Sequence, residues 1–159
     1  MPAKNNSNSF TPILLGLFLI LILAAFAASI HKNRLEIGKL RVVFANGSSQ
    51  NFNVYLAATL QEQVQGLMNK TSIGTCNGLG NCLGMLFVYQ NSSSLCFWME
   101  NTPLPLKQLW ITNNIVTAEE NGVPYSTAIY CHIGEMVLEV PMNSSVGMGA
   151  SVYLNGTAG

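Results

Sequence analysis

The chain of 159 residues contains no aspartate and few charges of any kind. Seven Lys and Arg balance seven Glu, so the formal net charge is zero. The basic residues are concentrated at the start of the chain, since only Lys70 and Lys107 follow Arg41. Such a composition offers no basic face for phosphate contacts, which argues against nucleic acid as a partner.

Several catalytic and metal-binding patterns are also missing. Without Asp no Ser-His-Asp triad can be assembled, and no Gly-x-Ser-x-Gly elbow is present. The four Cys include no Cys-x-x-Cys pair, so the sequence predicts no metal and no cofactor. Cys131 and His132 are adjacent and would point to opposite faces of a strand, which argues against a Cys-His nucleophile. No reaction can be assigned from motifs.

A long apolar run is present near the start of the chain. Residues 13–30 contain one polar side chain, Ser29, and as a helix they would span roughly 27 Å. We therefore expect a polar tail over residues 1–12, a transmembrane anchor in membrane lipid over residues 13–30, and a juxtamembrane linker over residues 31–39. The alternative is the apolar part of a cleaved signal peptide, because Ala25-Phe26-Ala27 satisfies the small-residue rule for cleavage. The domain would then be secreted.

Two signals disagree on which side of the membrane the rest of the chain lies. Four basic residues follow the apolar run and one precedes it, which by the positive-inside rule favours the cytoplasm. Four Cys and five Asn-x-Ser/Thr sequons favour the opposite side, where disulfides and glycans form. Because large domains can cross regardless of flanking charge, we expect a single-pass protein with its domain outside the cytoplasm. The sequons begin at Asn46, Asn69, Asn91, Asn143 and Asn155.

Residues 40–159 have the pattern of a compact antiparallel β barrel or sandwich with one short α-helix. Strand-length apolar runs alternate with turn signals such as Asn46-Gly47 and Asn113-Asn114. Thr59 and Glu62 form a capping-box pattern, and Gly66 is placed to end the helix after about two turns. The fold class is therefore mainly β, preceded by the transmembrane helix.

The segment that organises this domain runs from Gly84 to Leu106. Residues 85–89 and 95–99 are apolar runs separated by a turn-rich stretch, a pattern that predicts a hairpin. The second run is apolar on both faces, so we expect it to be covered on both sides. This would place its strand in the middle of the sheet.

The turn after these runs is the binding surface that we expect. Glu100, Asn101 and Thr102 form a polar turn, with Trp98 before it and Trp110 nearby in the sequence. Aromatic and polar side chains together could contact an envelope protein or a saccharide. The simpler interpretation is that both Trp side chains fill the core.

Glu100 and Glu139 are weak catalytic candidates. As a carboxylate pair they could act as acid and base on a polymer. The simpler interpretation is that both face solvent.

The Cys residues predict one disulfide. Cys76 and Cys82 are separated by five residues in a glycine-rich loop, and in an oxidising compartment we expect them to close a small ring. Cys96 and Cys131 could be buried thiols or could pair with each other. The sequence leaves that choice open.

Four segments carry a family resemblance, in order and spacing: FNVYLAATLQEQVQGLMNKTSI (residues 52–73), GMLFVY (84–89), FWMENTPLPL (97–106) and MVLEVP (136–141). On these the chain resembles the domain of unknown function 192 family. The resemblance implies a mostly antiparallel β domain with one short helix, often behind a signal or anchor, and brings no established activity. Family members usually carry a basic residue at the position of Glu100 and an acidic one at that of Lys107. This exchange of signs predicts a contact between Glu100 and Lys107.

We therefore expect a membrane-anchored, extracytoplasmic binding or interaction module of the cell envelope. The alternative is a membrane-tethered hydrolase of envelope polymers that uses Glu100 and Glu139, and a third possibility is a structural envelope component. An enclosed pocket with both carboxylates about 5 to 10 Å apart would favour the hydrolase.

Overall fold

The structure is a computed structural model that divides into two compact units, Met1–Arg34 and Leu35–Gly159. It describes Gly16 and residues 19–23, 35–76, 78–80 and 82–158. In the first unit Gly16 and residues 19–23 are helical, and the rest of the predicted anchor over residues 13–30 lies outside the described residues. Within the described ranges, no helix combines the length and apolar character that crossing a membrane requires.

The second unit is mainly β, with seven strands and one short helix among its described residues. The elements are β1 Ile37–Val43, β2 Ser49–Ala57, α1 Leu60–Gln65, β3 Cys82–Phe97, β4 Leu106–Thr112, β5 Ile115–Gly122, β6 Tyr130–Pro141 and β7 Ser151–Ala158. The strands form a closed barrel in the order β1-β2-β3-β6-β4-β5-β7. Neighbours are antiparallel except β2 and β3, which are parallel because α1 and a long loop carry the chain back between them. The mainly β prediction with one short helix is confirmed.

The local signals form the turns and caps predicted from them. Asn113 and Asn114 join β4 to β5 with φ values of 51° and 63°, as a type I′ hairpin turn requires. Thr59 caps α1, since its hydroxyl accepts from the backbone N–H of Glu62 and the Glu62 carboxylate accepts from the N–H of Thr59. Gly66 ends the helix with a φ of 44°.

The hairpin predicted for residues 85–99 is wrong. Both apolar runs belong to the single strand β3, and both pair with β6. Val88 lies opposite Met136 and Ser93 lies opposite Gly134, so the residues between Val88 and Ser93 form a bulge instead of a reversal. Because β6 is 12 residues long, it can supply hydrogen-bond partners to one run after the other. The turn-rich stretch therefore does not need to turn.

The expectation that the run over residues 95–99 is covered on both faces is also wrong. Leu95, Phe97 and Met99 are buried, whereas Cys96 and Trp98 are exposed. Cys96 lies opposite Cys131 in the pairing of β3 with β6, and these two Cys form a disulfide. The apolar character of this outer face thus comes from a cystine and a surface indole, and nothing needs to cover it.

A second disulfide joins Cys76 to Cys82, the pair expected from the sequence. The Cys96–Cys131 disulfide resolves the pairing that the sequence left open. No described cysteine is free. Cys131 is consequently unable to act as a nucleophile with His132.

The buried side chains form two clusters on opposite faces of the sheet. Along β6, Leu138 and Val140 belong to the first cluster and Val137 belongs to the second, as the alternation of a strand requires. The second cluster contains Phe87, Phe97 and Trp110. It also includes Leu67, which follows α1 in the chain. It is the face that carries the candidate site.

The aromatic rings of the second cluster fix one another. Phe97 packs edge-on against Phe87 at a centroid distance of 4.8 Å and against Trp110 at 5.9 Å. Trp110 is fully buried, and its indole N–H donates to the carbonyl oxygen of Leu95 at 2.8 Å. Trp110 therefore fills the core, as the simpler interpretation expected.

Candidate functional site

Glu139 is a carboxylate inside the protein. It lies on β6 two residues after Val137, on the face of the second cluster, and is 4% exposed. Leu138 and Val140, which flank it, are fully buried on the opposite face. The strand is thus covered on both sides, and a charged side chain has been placed where an apolar one would normally lie.

The partner of Glu139 is Gln108 on the neighbouring strand β4, directly opposite in the register. Gln108 is fully buried, and its Nε2 donates to Glu139 Oε1 at 3.0 Å. The same amide group lies 3.4 Å from the carbonyl oxygen of Trp98 and 3.6 Å from the Sδ of Met99. The Gln108 side chain therefore links Glu139 to the start of residues 98–102, which we call the Trp98 turn.

Two acceptor atoms of this pair have no hydrogen-bond partner among the described residues. One is Gln108 Oε1, which is buried. The other is Glu139 Oε2, since the carboxylate receives its one hydrogen bond at Oε1 and forms no ion pair with a described Lys, Arg or His. Gln108 Oε1 is thus a buried acceptor without a donor, which costs about 1 to 3 kcal/mol. Gln108 and Glu139 together thus have more hydrogen-bond acceptors than described donors.

Burial perturbs the titration of Glu139. Desolvation raises the pKa of its carboxyl from 4.5 to about 7, and the hydrogen bond from Gln108 opposes that shift without cancelling it. Tyr89 on β3 also has a raised pKa, first through its own burial and second through the negative charge of Glu139. The carboxylate is therefore close enough to neutrality at pH 7 for a ligand to change its charge.

A cavity of about 40 Å³ lies beside Glu139. We call it the Glu139 cavity, and its lining consists of residues 63–68 together with Phe87, Phe97, Trp98, Thr102 and Glu139. Trp98 is 43% exposed, so its indole extends from the cavity wall to the solvent. The volume is sufficient for one small polar group.

Specific contacts hold the walls of this cavity in place. Gln63 on α1 donates to the carbonyl oxygen of Val88 at 2.8 Å, which fixes the helix against β3. A Cβ added to Gly66 would lie 3.2 Å from the Phe87 ring, so the helix ends in close contact with that ring. The backbone N–H of Asn69 donates to the carbonyl oxygen of Asn101 at 2.8 Å. The chain after α1 is thereby joined to the turn that follows Trp98.

The structure separates the five residues of the predicted binding surface. Trp98 and Thr102 line the Glu139 cavity, although Thr102 is buried and donates its hydroxyl to the carbonyl oxygen of Glu100. Glu100 is half-buried and Asn101 is exposed, and neither lines the cavity. The assignment of Trp110 to a contact surface is wrong, because its side chain is packed inside the second cluster.

The simpler interpretation is also corrected at two positions. It placed Trp98 in the core and Glu139 in solvent, and the structure exposes the former and buries the latter. The signal that could have identified Glu139 is its place within MVLEVP, where a single acidic residue interrupts a run of apolar ones. In a strand that is covered on both faces, such a residue is buried whichever face its side chain is on.

The contact predicted between Glu100 and Lys107 is present neither as an ion pair nor as a hydrogen bond among the described residues. Lys107 Nζ donates to the carbonyl oxygens of Ser144 and Val146, each at 2.8 Å, and lies 3.8 Å from Glu119 Oε1. Three acceptors from other loops and strands thus surround the ammonium. For Glu100, the described residues provide no ion-pair partner.

No group of three described His, Cys, Asp or Glu side chains is placed to hold a metal ion. The polar and aromatic side chains that line the Glu139 cavity are one carboxylate, one threonine, two glutamines and three aromatic residues. Acid and base catalysis of hydrolysis uses two titratable groups, and Glu139 is the one carboxylate among the described residues that line the cavity.

Comparison with known proteins assigns a family and a fold. The family model DUF192, described as Uncharacterized ACR, matches residues 41–152 and confirms the resemblance seen in the sequence. The crystal structure of a suspected transcription regulator from Sinorhizobium meliloti 1021 is similar at 27% identity and a TM-score of 0.65, over 76% of this chain and 95% of that one. A protein of unknown function from Novosphingobium aromaticivorans DSM 12444 is similar at 27% identity and a TM-score of 0.64, over 75% of this chain and 86% of that one. No curated protein matches the chain.

Proposed function

The chain belongs to the DUF192 family, and we propose that it is a membrane-anchored binding module of the cell envelope that takes a small ligand group at the Glu139 cavity. The observation that carries this proposal is the exposed indole of Trp98 beside a cavity walled by a buried carboxylate. Sites for small ligands typically combine apolar walls with a few convergent polar groups. The cavity has that composition on a small scale.

A purely structural role accounts less well for these residues. A buried carboxylate destabilises a fold unless it is paired with a cation, and replacing it with an apolar side chain would remove that cost. Glu139 has no cationic partner among the described residues and is hydrogen-bonded to Gln108, whose own side-chain oxygen has no hydrogen-bond partner. Binding a ligand that supplies donors would offset the desolvation of the Glu139 carboxylate.

The hydrolase alternative has less support. It needs two carboxylates around one bond, and Glu139 is the one carboxylate among the described residues that line the cavity. Glu100 does not line it. We therefore propose binding without catalysis.

The position of the domain outside the cytoplasm rests on three features of the chain. Two disulfides are present, and such bonds persist in oxidising compartments. The Asn of every sequon is exposed, so each is sterically open to a glycan. At the first sequon Ser48 Oγ donates to Asn46 Oδ1 at 2.7 Å. The apolar run over residues 13–30 would supply the anchor.

Protease treatment of intact cells tests this location. If the domain is outside and anchored, the protease removes it from the cells, whereas a cytoplasmic control protein survives. Recovery of the domain from the medium without protease would indicate cleavage of the leader. A domain protected until the cells are lysed would refute the external location.

A ligand panel tests the binding function. The full-length chain in detergent would be heated with n-butylammonium chloride, sodium butyrate or N-acetylglucosamine, and its melting temperature measured. We expect at least one compound to raise the melting temperature of the wild type but not that of Trp98→Ala. Tyr153→Ala is the matched control, because Tyr153 is 40% exposed on β7 and does not line the cavity. A panel without effect on the wild type would refute binding at this cavity.

A further inference from the structure

We propose that the Glu139 cavity binds a primary ammonium group presented by its ligand, an inference that rests on the proposed binding function. The juxtaposition that points to this group is a buried carboxylate and three aromatic rings around a space of about 40 Å³. Each component favours a small cation over an anion or a neutral group.

The first argument is the count of donors and acceptors. Glu139 lines the cavity, and its Oε2 receives no hydrogen bond from a described residue. The Nε2 of Gln108 is already within reach of three acceptors. A primary ammonium carries three donors and no acceptor, so it complements the Glu139 carboxylate, whereas a carboxylate ligand would add acceptors to a site that lacks donors.

The second argument is charge. Glu139 has no cationic partner among the described residues, and the last turn of α1, which forms one wall, contains no basic residue. The C-terminal end of a helix favours cations, since its carbonyl groups carry partial negative charge. An ammonium group in the cavity would therefore meet the negative charge of Glu139 and no basic side chain among the described residues that line it.

The third argument is the aromatic lining and the size. Phe87, Phe97 and Trp98 border the cavity, and aromatic faces attract a cation that has left water. The space of about 40 Å³ that is open to the centres of water-sized groups exceeds the roughly 10 to 15 Å³ that one water needs on this measure. It therefore has room for an ammonium group. The rest of the ligand would lie along the exposed indole of Trp98.

Binding should also depend on pH in a defined direction. An ammonium group favours the charged form of Glu139, whose pKa in the absence of ligand is raised by burial to about 7. The other groups that face this carboxylate are Gln108 on β4, which does not titrate, and Tyr89 on β3, which stays neutral near pH 7 because its pKa is raised above 10. From α1, Gln63 is neutral. Affinity should therefore increase from pH 5 to pH 8 as Glu139 loses its proton.

The test is calorimetric titration of the full-length chain in detergent with n-butylammonium chloride at pH 8. We expect binding to the wild type, a loss of about thirtyfold or more in Glu139→Gln, and weaker binding at pH 5. Glu135→Gln is the control, because Glu135 is half-buried on the same strand and does not line the cavity. Tetramethylammonium chloride, which has no N–H donor, should bind more weakly than n-butylammonium chloride.

The possible results separate the two proposals. Binding of butyrate or N-acetylglucosamine that requires Trp98, with no binding of n-butylammonium, would overturn the ammonium assignment and leave the binding function in place. Equal binding of n-butylammonium to the wild type and Glu139→Gln would overturn the assignment as well. Failure of every compound would overturn both proposals. Melting curves of Glu139→Gln would show that the variant is folded.

Discussion

Replacing Glu139 with Gln should stabilise the protein at pH 8 and leave its stability nearly unchanged at pH 4. The pKa of the Glu139 carboxyl is raised by burial from 4.5 to about 7. Between these values the folded protein keeps a proton that the unfolded chain has lost, so the free energy of unfolding decreases as pH rises from about 4.5 to about 7. Above pH 7 the loss is complete. One pKa unit corresponds to about 1.4 kcal/mol, so the loss amounts to about 3 kcal/mol.

The amide of Gln is neutral at every pH and can still accept the hydrogen bond from Gln108 Nε2. The free energy of unfolding of the variant should therefore not decrease with pH in this way, and at pH 8 it should be about 3 kcal/mol higher than that of the wild type. Urea unfolding of the full-length chain with its disulfides intact, followed by tryptophan fluorescence at several pH values, measures this difference. Glu135→Gln on the same strand should show no such dependence. A Glu139→Gln variant that is equally stable relative to the wild type at pH 4 and pH 8 would refute a raised pKa.

Three further predictions concern the framework around the cavity. Replacing both Cys96 and Cys131 with Ala should lower the free energy of unfolding by about 4 kcal/mol, because their bond closes a loop with a sequence separation of 35. Gly84→Ala should cost about 3 kcal/mol, because its Cβ would overlap the backbone carbonyl oxygen of Glu139 on the adjacent strand. Lys107→Met should cost about 2 kcal/mol, because it leaves the carbonyl oxygens of Ser144 and Val146 without their charged donor. Urea unfolding at pH 7 measures all three.

Each of these has a matched control in the chain. Removing the Cys76–Cys82 bond, with a sequence separation of 6, should cost about 2 kcal/mol, and an equal or larger loss there would contradict the loop-length argument. Gly122→Ala should cost less than Gly84→Ala, since its nearest neighbour is the flexible side chain of Met99. Lys70→Met should be nearly neutral, since Lys70 is exposed and its one described hydrogen bond is made by its backbone N–H, which the substitution keeps. If Lys70→Met and Lys107→Met were equally costly, the contacts of Lys107 would not explain its effect.

The parts of the fold that could be predicted from the sequence are those fixed by neighbours along the chain. The capping box at Thr59 and the turn at Asn113-Asn114 depend on a few consecutive residues, and both form as expected. The reversal expected after Tyr89 failed because a distant strand decided it: β6 pairs with β3 on both sides of the turn-rich stretch, so that stretch forms a bulge. A turn-rich stretch does not form a turn when pairing with a distant strand supplies the hydrogen bonds of its backbone.

The candidate site was less predictable for the same reason. Strand alternation places Glu139 on the opposite face from Leu138, but it does not reveal that α1 and the Trp98 turn cover that face. Trp98 and Trp110 look equivalent in the sequence, yet one is exposed and the other is fully buried. The difference comes from their strands, since Trp110 lies on β4 between β5 and β6 whereas Trp98 follows the end of β3.

Titration of the Glu139 carboxyl by ¹³C NMR is the most direct measurement of the property on which ligand binding depends. The full-length chain would be labelled at its Glu side chains, and Glu139→Gln would assign the signal. We expect a pKa near 7 without ligand and a lower one when n-butylammonium chloride is added. A pKa near 4.5 under both conditions would show that the carboxyl is solvated and does not hold an ammonium group.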